Sequence, residues 1–285
     1  MWALILHGGA KAIDAAEVEA SRAGCLRALD IGRHILSDGG SAIDAVEAVV
    51  RALEDNPTFN AGTGSVLNAE GEVEMCSAIM EGSDFNAGGV AIIRGVTHPI
   101  SVARALLFEK PILLAGEGAR KFAADNGCEL CDPASLLVRH HETSGVGHDT
   151  VGCVARDEAG RMAVGTSTGG LEGCAPGRVG DAPLPGCGYY VDDKVGGVAL
   201  SGDGEQIARK MLAARVMHMM DSGSPDDALH AALQQVAALD GEAGIIVLTA
   251  DGVFAWQHNS ADFAVAYQSS RMEGPAVHTN KHGGA

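Results

Sequence analysis

Apolar residues along this chain recur with two different periods, and the alternation between them predicts its elements. Residues 2 to 6 form a short apolar run that reads as a first strand, ending at His7-Gly8-Gly9-Ala10. From Asp14 to Leu36 the positions Ala16, Ala20, Ala23, Leu26 and Leu29 follow helical spacing, and Gly39-Gly40 closes the segment. Ser41, with Asp44 three residues on, caps a second helix from Ala42 to Glu54, which the polar turn Asp55-Asn56-Pro57 stops. Strands are predicted at Val73 to Met80 and Gly89 to Arg94, then helices at Ser101 to Phe108 and Gly116 to Asp125. Residues 127 to 149 carry the weakest pattern: polar, with Pro133 and Arg139-His140-His141, they read as a linker or mobile loop.

The second half repeats the alternation. Strands are expected near 151 to 156 and 161 to 166, a glycine-rich loop runs to residue 188, and a strand follows near 197 to 201. Of the two helices that come next, the second is announced by Ser224 as N-cap, Pro225 at the first position and Asp226-Asp227 in the first turn. Strands at 244 to 249, 253 to 257 and 263 to 267 close the chain. Helices thus come in pairs between groups of strands, which does not fit a doubly wound sheet and fits layered sheets with helices outside.

Composition narrows the picture. At 285 residues and 46% hydrophobic content the chain can bury a substantial core, and no apolar run reaches the roughly 18 residues of a membrane helix. The start, MWALILHGGA, lacks the basic region and the apolar length of a secretory signal, so a cytoplasmic protein is expected. A formal charge of −17 argues against nucleic acid and anionic membranes as partners. Seven cysteines without framework spacing read as reduced thiols. The 39 glycines, about twice the usual share, cluster in short runs and imply tight turns and backbone-lined sites.

The stretch GHDTVGCVA raises a chemical question, because a strand begins at a hydroxyl after a long polar segment. Thr150 is either simply the first residue of a strand or a chain terminus in waiting, with amine and hydroxyl side by side. Amide hydrolysis needs a nucleophile, a base, oxyanion donors and substrate-holding groups, and several suitable residues follow. TSTGG supplies Thr166, Ser167 and Thr168; PGRVGDAP supplies Arg178 and Asp181; SGDGE supplies Ser201 with Gly202 and Gly204. An arginine and an aspartate on one loop could bind an amino acid's α-carboxylate and α-ammonium. On spacing alone, a surface ion pair is the simpler reading of Arg178 and Asp181.

These motifs, together with HGGA at the start, LEDNPTFNAGTGSVLN at 53 to 68 and GEVEMCSAIMEG at 71 to 82, resemble the plant-type asparaginase and isoaspartyl peptidase family of N-terminal-nucleophile hydrolases. The resemblance covers nearly the whole chain. It implies an α+β fold, a four-layer αββα sandwich forming a single structural domain over 1 to 285. It also implies self-cleavage between Asp149 and Thr150 into an α chain of residues 1 to 149 and a β chain of 150 to 285. The freed amine of Thr150, with an ordinary pKa of about 7.7–8.0, would then serve as base for its own hydroxyl.

By the same resemblance Thr168 would tune the nucleophile, Arg178 and Asp181 would clamp the substrate with help from the Gly204 backbone, and Ser201 with Gly202 would form the oxyanion hole. Asn60 would help order the nucleophile. The carbonyls of Leu53, Glu54, Asn56, Phe59, Ala61 and Thr63 would hold a structural sodium ion, with no cofactor needed for the chemistry. The partners implied are a small-molecule or dipeptide substrate and a second copy, giving a dimer of αβ heterodimers. Two positions depart from the family pattern: Ser201 stands where threonine is usual, and Cys76 where aspartate is common.

The expected reaction is hydrolysis of a β-aspartyl amide, in isoaspartyl dipeptides or L-asparagine. A glycosylasparaginase shares the His-Asp-Thr junction and is the nearest rival. A metal-binding protein is a rival of another class, since Cys128-x-x-Cys131 with His140-His141 has ligand types that suit zinc, although unpaired linker residues are the plainer reading. A third is a fold that never matures and serves only to bind.

Overall fold

The computed structural model describes residues 1–137 and 149–279. Mixed helices and sheets pack as a sandwich. An eight-stranded sheet runs in the order β12-β11-β1-β5-β6-β2-β3-β4, and a four-stranded sheet runs β10-β9-β8-β7. The first comprises β1 (Ala3–Lys11), β2 (Met75–Glu81), β3 (Ala87–Ile93), β4 (Leu113–Ala115), β5 (Val151–Arg156), β6 (Met162–Thr168), β11 (Asp262–Ser269) and β12 (Ala276–His278). The second comprises β7 (Tyr189–Asp192), β8 (Gly196–Gly202), β9 (Ala243–Thr249) and β10 (Phe254–His258). Every pairing is antiparallel except β3 with β4.

Alternation along the strands sorts the core into layers. On β1, Leu4 and Leu6 face one way, into a cluster with helices α1 (Val18–Ser37), α2 (Ala42–Glu54) and α3 (Pro99–Leu106). Ala3 and Ile5 face the other way and meet Ala199, Ile246 and Leu248 of the smaller sheet. The far side of that sheet, through Val198, Leu200, Ile245 and Val247, packs on α5 (Gly204–Lys210), α6 (Leu212–Met220) and α7 (Pro225–Ala237). Glycine permits the closest approach between the sheets. A Cβ on Gly152 would stand 2.4 Å from His7 Nε2 and 3.0 Å from the Ala199 Cβ.

Several elements fall where the pattern puts them. Helix α2 starts on the Ser41 cap, whose hydroxyl accepts from the Asp44 N–H at 3.2 Å. Helix α7 likewise starts on Ser224, which accepts from Asp227 N–H. Three expectations are corrected. The HGGA segment is not a break after β1 but lies inside it, because a bulge between His7 and Ala10 carries the strand on to Lys11. Short strands β4, β7 and β12 went unpredicted, and three helices rather than two follow β8. Helix α4 (Gly116–Asp125) falls where expected, and the first part of the segment read as a linker or mobile loop, 127 to 149, carries local structure: Leu130 bridges to Val96 and residues Pro133–Leu136 form a 3-10 turn. Cys128 and Cys131 pack there against a cluster built on Val96, Ala119 and Leu136. The rest of that linker, residues 138–148 with His140 and His141, lies outside the described residues.

Candidate active site

Antiparallel register brings the hydroxyl residues together. Val151 of β5 pairs with Ser167 of β6, so Thr150, one residue earlier, comes alongside Thr168. On the other side of β6, Thr168 pairs with Cys76 of β2. The three consecutive hydroxyls of β6 point alternately. Ser167 donates to Glu54 Oε1 at 2.6 Å on the α2 side, whereas Thr166 donates to the Ala182 carbonyl at 2.7 Å and Thr168 opens on a cleft.

Asp149, Thr150, Thr168, Arg178, Asp181 and Gly202 all line this cleft. Thr150 and Asp149 are both buried. The Thr150 N–H donates to Ser201 Oγ at 3.2 Å, and the Ala10 N–H donates to the same oxygen at 3.0 Å. Thr168 Oγ1 accepts from the Gly170 N–H at 3.1 Å, which turns the chain sharply after β6. Asn60 secures that turn from the other half of the sequence: its amide donates to the Gly170 carbonyl, and its own carbonyl accepts from Gly169 N–H. A Cβ on Gly169 would lie 2.3 Å from Asn60 Oδ1, so no larger residue fits there.

Arg178 and Asp181 sit at the cleft's other wall. Arg178 makes a two-point contact with Glu205, Nε to Oε1 at 2.8 Å and Nη2 to Oε2 at 2.7 Å. Asp181 is buried, and its Oδ2 has no hydrogen-bond partner. Burial pushes this carboxyl up to about 7, opposed by hydrogen bonds from the backbone and by the Arg178 charge. Gly188 and Gly204 make the close approach possible, since a Cβ on either would come within 2.8 Å of an Asp181 carboxylate oxygen. The surface ion pair suggested by spacing is thus replaced: Arg178 pairs with Glu205, and Asp181 stands buried beside it.

Three further groups lie near the cleft, of which Lys11 alone carried no signal in the sequence. Lys11 Nζ reaches Asp149 Oδ2 at 2.6 Å, a contact between residues far apart in the chain. His7, opposite Gly152, is fully buried; burial pushes its imidazole down to about 3, with the neighbouring Thr150 backbone opposing. Cys76 is buried, and burial pushes its thiol up to about 11. Its Sγ accepts from the Ile92 N–H at 3.4 Å across a bulge that leaves Ile92 at a φ of 46°, unusual for a β-branched residue.

Behind the cleft, residues 53 to 63 form a compact loop. Their carbonyls are partly used: Leu53 O accepts from Asn56 N–H, Glu54 O from Thr63 N–H, Asn56 O from Phe59 N–H and Phe59 O from Ala61 N–H. Leu53 O also accepts from the Asp55 N–H, whereas the Glu54, Asn56 and Phe59 oxygens each keep a second lone pair, a donor type that suits a hard cation. The Glu54 side chain is buried with Oε2 unpartnered, and burial pushes its carboxyl up to about 8 against the Ser167 and Ile100 hydrogen bonds. Among the described residues no group of three or more His, Cys, Asp or Glu side chains could hold a metal ion, and none of the seven cysteines is bridged.

A sequence model of the family described as Asparaginase matches residues 1–144 and 138–276. The chain is 39% identical over 285 residues to the isoaspartyl peptidase/L-asparaginase of Bos taurus, covering 92% of each chain. It is 39% identical over 292 residues to that of Xenopus laevis, covering 96% of this chain and 91% of the relative. Against the Homo sapiens protein of the same name identity is 38% over 284 residues, with 92% of each chain covered. Matched along nearly all of its length, the chain belongs to the asparaginase family.

Proposed function

We propose that the protein hydrolyses β-aspartyl amide bonds, in isoaspartyl dipeptides or in L-asparagine, with Thr150 as nucleophile after self-cleavage between Asp149 and Thr150. The observation that carries this reading is the convergence of Thr150, Thr168, Arg178 and Asp181 on one cleft, with an unpartnered carboxylate oxygen on Asp181. The names of the relatives point to the same chemistry.

In the uncut chain the Thr150 hydroxyl attacks the Asp149 carbonyl carbon and the C–N bond breaks. The nitrogen takes the hydroxyl proton, leaving an ester. Water then hydrolyses the ester, giving Asp149 a terminal carboxylate and restoring the Thr150 hydroxyl beside a free amine. That amine serves as base for the next attack, on a substrate amide. Arg178 receives the substrate's α-carboxylate through Nη1, the edge that Glu205 leaves open, and Asp181 receives the α-ammonium. The Ser201 hydroxyl and Gly202 N–H face the developing oxyanion, Thr168 sits beside the nucleophile, and Asn60 keeps the 169–170 turn in place. Gly204 leaves room beside the carboxylate of Asp181, where a Cβ would crowd it.

On the same reading the sandwich is a four-layer αββα arrangement, supported by the three successive apolar clusters, and forms one structural domain. The loop carbonyls of residues 53–63 hold a sodium ion that stiffens the region behind Asn60. The protein works in the cytoplasm as a dimer of αβ pairs, with no nucleic-acid or membrane partner. Separate incubations with asparagine, β-Asp-Leu and a glycosylated asparagine, read alongside a denaturing gel, test this. Two bands with turnover of a β-aspartyl amide are expected; one persistent band or no turnover overturns it.

A further inference from the structure

The bulge in β1 has a local consequence at the junction before Thr150. Gly9, at a φ of 108°, lies so close to Asp149 that a Cβ there would come within 3.1 to 3.3 Å of its Oδ1, Cα and Cβ. Past the bulge, Ala10 donates to the same Ser201 oxygen that holds the Thr150 N–H, and Lys11 reaches Asp149 Oδ2 at 2.6 Å. The two residues flanking the junction are therefore both gripped from the end of β1, Thr150 indirectly through Ser201 and Asp149 directly by a charge pair. The pair is well shielded, with the Lys11 and Asp149 side chains only 16% and 8% exposed.

We infer that Lys11 is a positioning residue for self-cleavage, holding Asp149 by its carboxylate so that the Asp149 carbonyl stays in reach of the Thr150 hydroxyl. This rests on the proposed cut before Thr150. The bond that forms is Thr150 Oγ1 to the Asp149 carbonyl carbon, the one that breaks is Asp149 C to Thr150 N, and Lys11 gives up no proton in either event. Its part is geometric and electrostatic: a shielded charge pair is directional and fixes where the Asp149 carboxylate sits. A lysine four residues past the start of HGG has no partner legible in the sequence, and only the fold supplies one.

The test follows the conversion of newly made full-length chain into two pieces, in a cell-free translation pulse read on denaturing gels. Lys11→Gln is expected to slow conversion on the order of tenfold or more, and Lys11→Arg to restore most of the rate, because a cation returns. In an Asp149→Asn background, Lys11→Gln should cause little further slowing, since the two residues act through one contact. Melting curves of Lys11→Gln in the uncut Thr150→Ala background separate slow cutting from poor folding, and a midpoint near that of Thr150→Ala alone is expected. Conversion of Lys11→Gln at the rate of the unaltered chain, or equal slowing in both backgrounds, overturns the inference while leaving the self-cleavage reading intact. An unaltered chain that never yields two pieces overturns both.

Discussion

Two ionic clusters tie distant segments of this molecule together, and they differ in one respect. Around His98 the network is closed: the buried imidazole meets Asp55 Oδ1 at 2.8 Å and Glu129 Oε2 at 3.0 Å, and Arg51 bridges Glu129 and the Ser101 hydroxyl. Around Arg178 it is open, because Glu205 occupies one edge of the guanidinium while Asp181 beside it keeps a buried, unpartnered oxygen. A closed cluster spends its polar groups on the fold; an open one has groups left to meet a ligand. Charge alone does not separate the two. Completeness does.

The contrast can be broken or sharpened in order of expected effect. Thr150→Ala should abolish both conversion to two chains and amide hydrolysis, since one hydroxyl serves both; a cut or active variant would remove the reason for reading the open cluster as a substrate clamp. Arg178→Ala should still be cut, yet lose about 10²- to 10³-fold in kcat/KM on β-aspartyl substrates, the worth of a shielded charge-assisted contact. A smaller effect is expected from pH. With its carboxyl pushed up to about 7, Asp181 is increasingly protonated below that point and cannot pair with an α-ammonium. KM should therefore rise as pH falls below about 7, approaching tenfold per unit, on top of the fall in kcat that protonation of the Thr150 amine brings, and Asp181→Asn should weaken binding and flatten the dependence of KM alone.

At the closed cluster the readout moves from kinetics to stability. His98→Ala should lower stability by about 1–3 kcal/mol, seen as a drop of a few degrees in Tm, with KM and kcat unchanged. A change in KM there would erase the distinction between the clusters. Glu54→Gln should do least near pH 4, where the carboxyl, raised to about 8 by burial in the folded protein, is neutral in the folded chain and largely so in the unfolded one. A carboxyl raised in the folded state favours folding at low pH, and that contribution is lost as pH rises through about 4 to 8. The glutamine variant should therefore show a shallower fall of Tm toward alkaline pH than the unaltered protein.

Local signals made the helices with strong caps legible, as at Ser41 and Ser224, and made Thr150 stand out as a strand-opening hydroxyl. Short edge strands were not: β4 and β12 have three residues each, too few to display a period. The segment holding Cys128 and Cys131 looked like loose linker because its apolar residues are sparse, yet partial burial against the α4 cluster orders it. At the site, TSTGG, PGRVGDAP and SGDGE each supplied residues that line the cleft. They did not reveal that Arg178 would turn to Glu205, or that Lys11 would reach Asp149, because both contacts depend on tertiary placement.

The strand order of the large sheet has a last consequence, for refolding. After the proposed cut, β1 of the N-terminal piece remains hydrogen-bonded between β11 and β5 of the C-terminal piece, and β2 remains paired with β6. The pieces are interleaved in the large sheet rather than side by side, so neither can complete that sheet alone. The uncut chain folds as a unimolecular event, whereas denatured cut protein must find its partner in solution and thread one strand between two others. Recovery after heating should then depend on protein concentration and compete with aggregation of exposed strand edges. Cutting turns a reversible fold into one whose persistence is set by how slowly it opens.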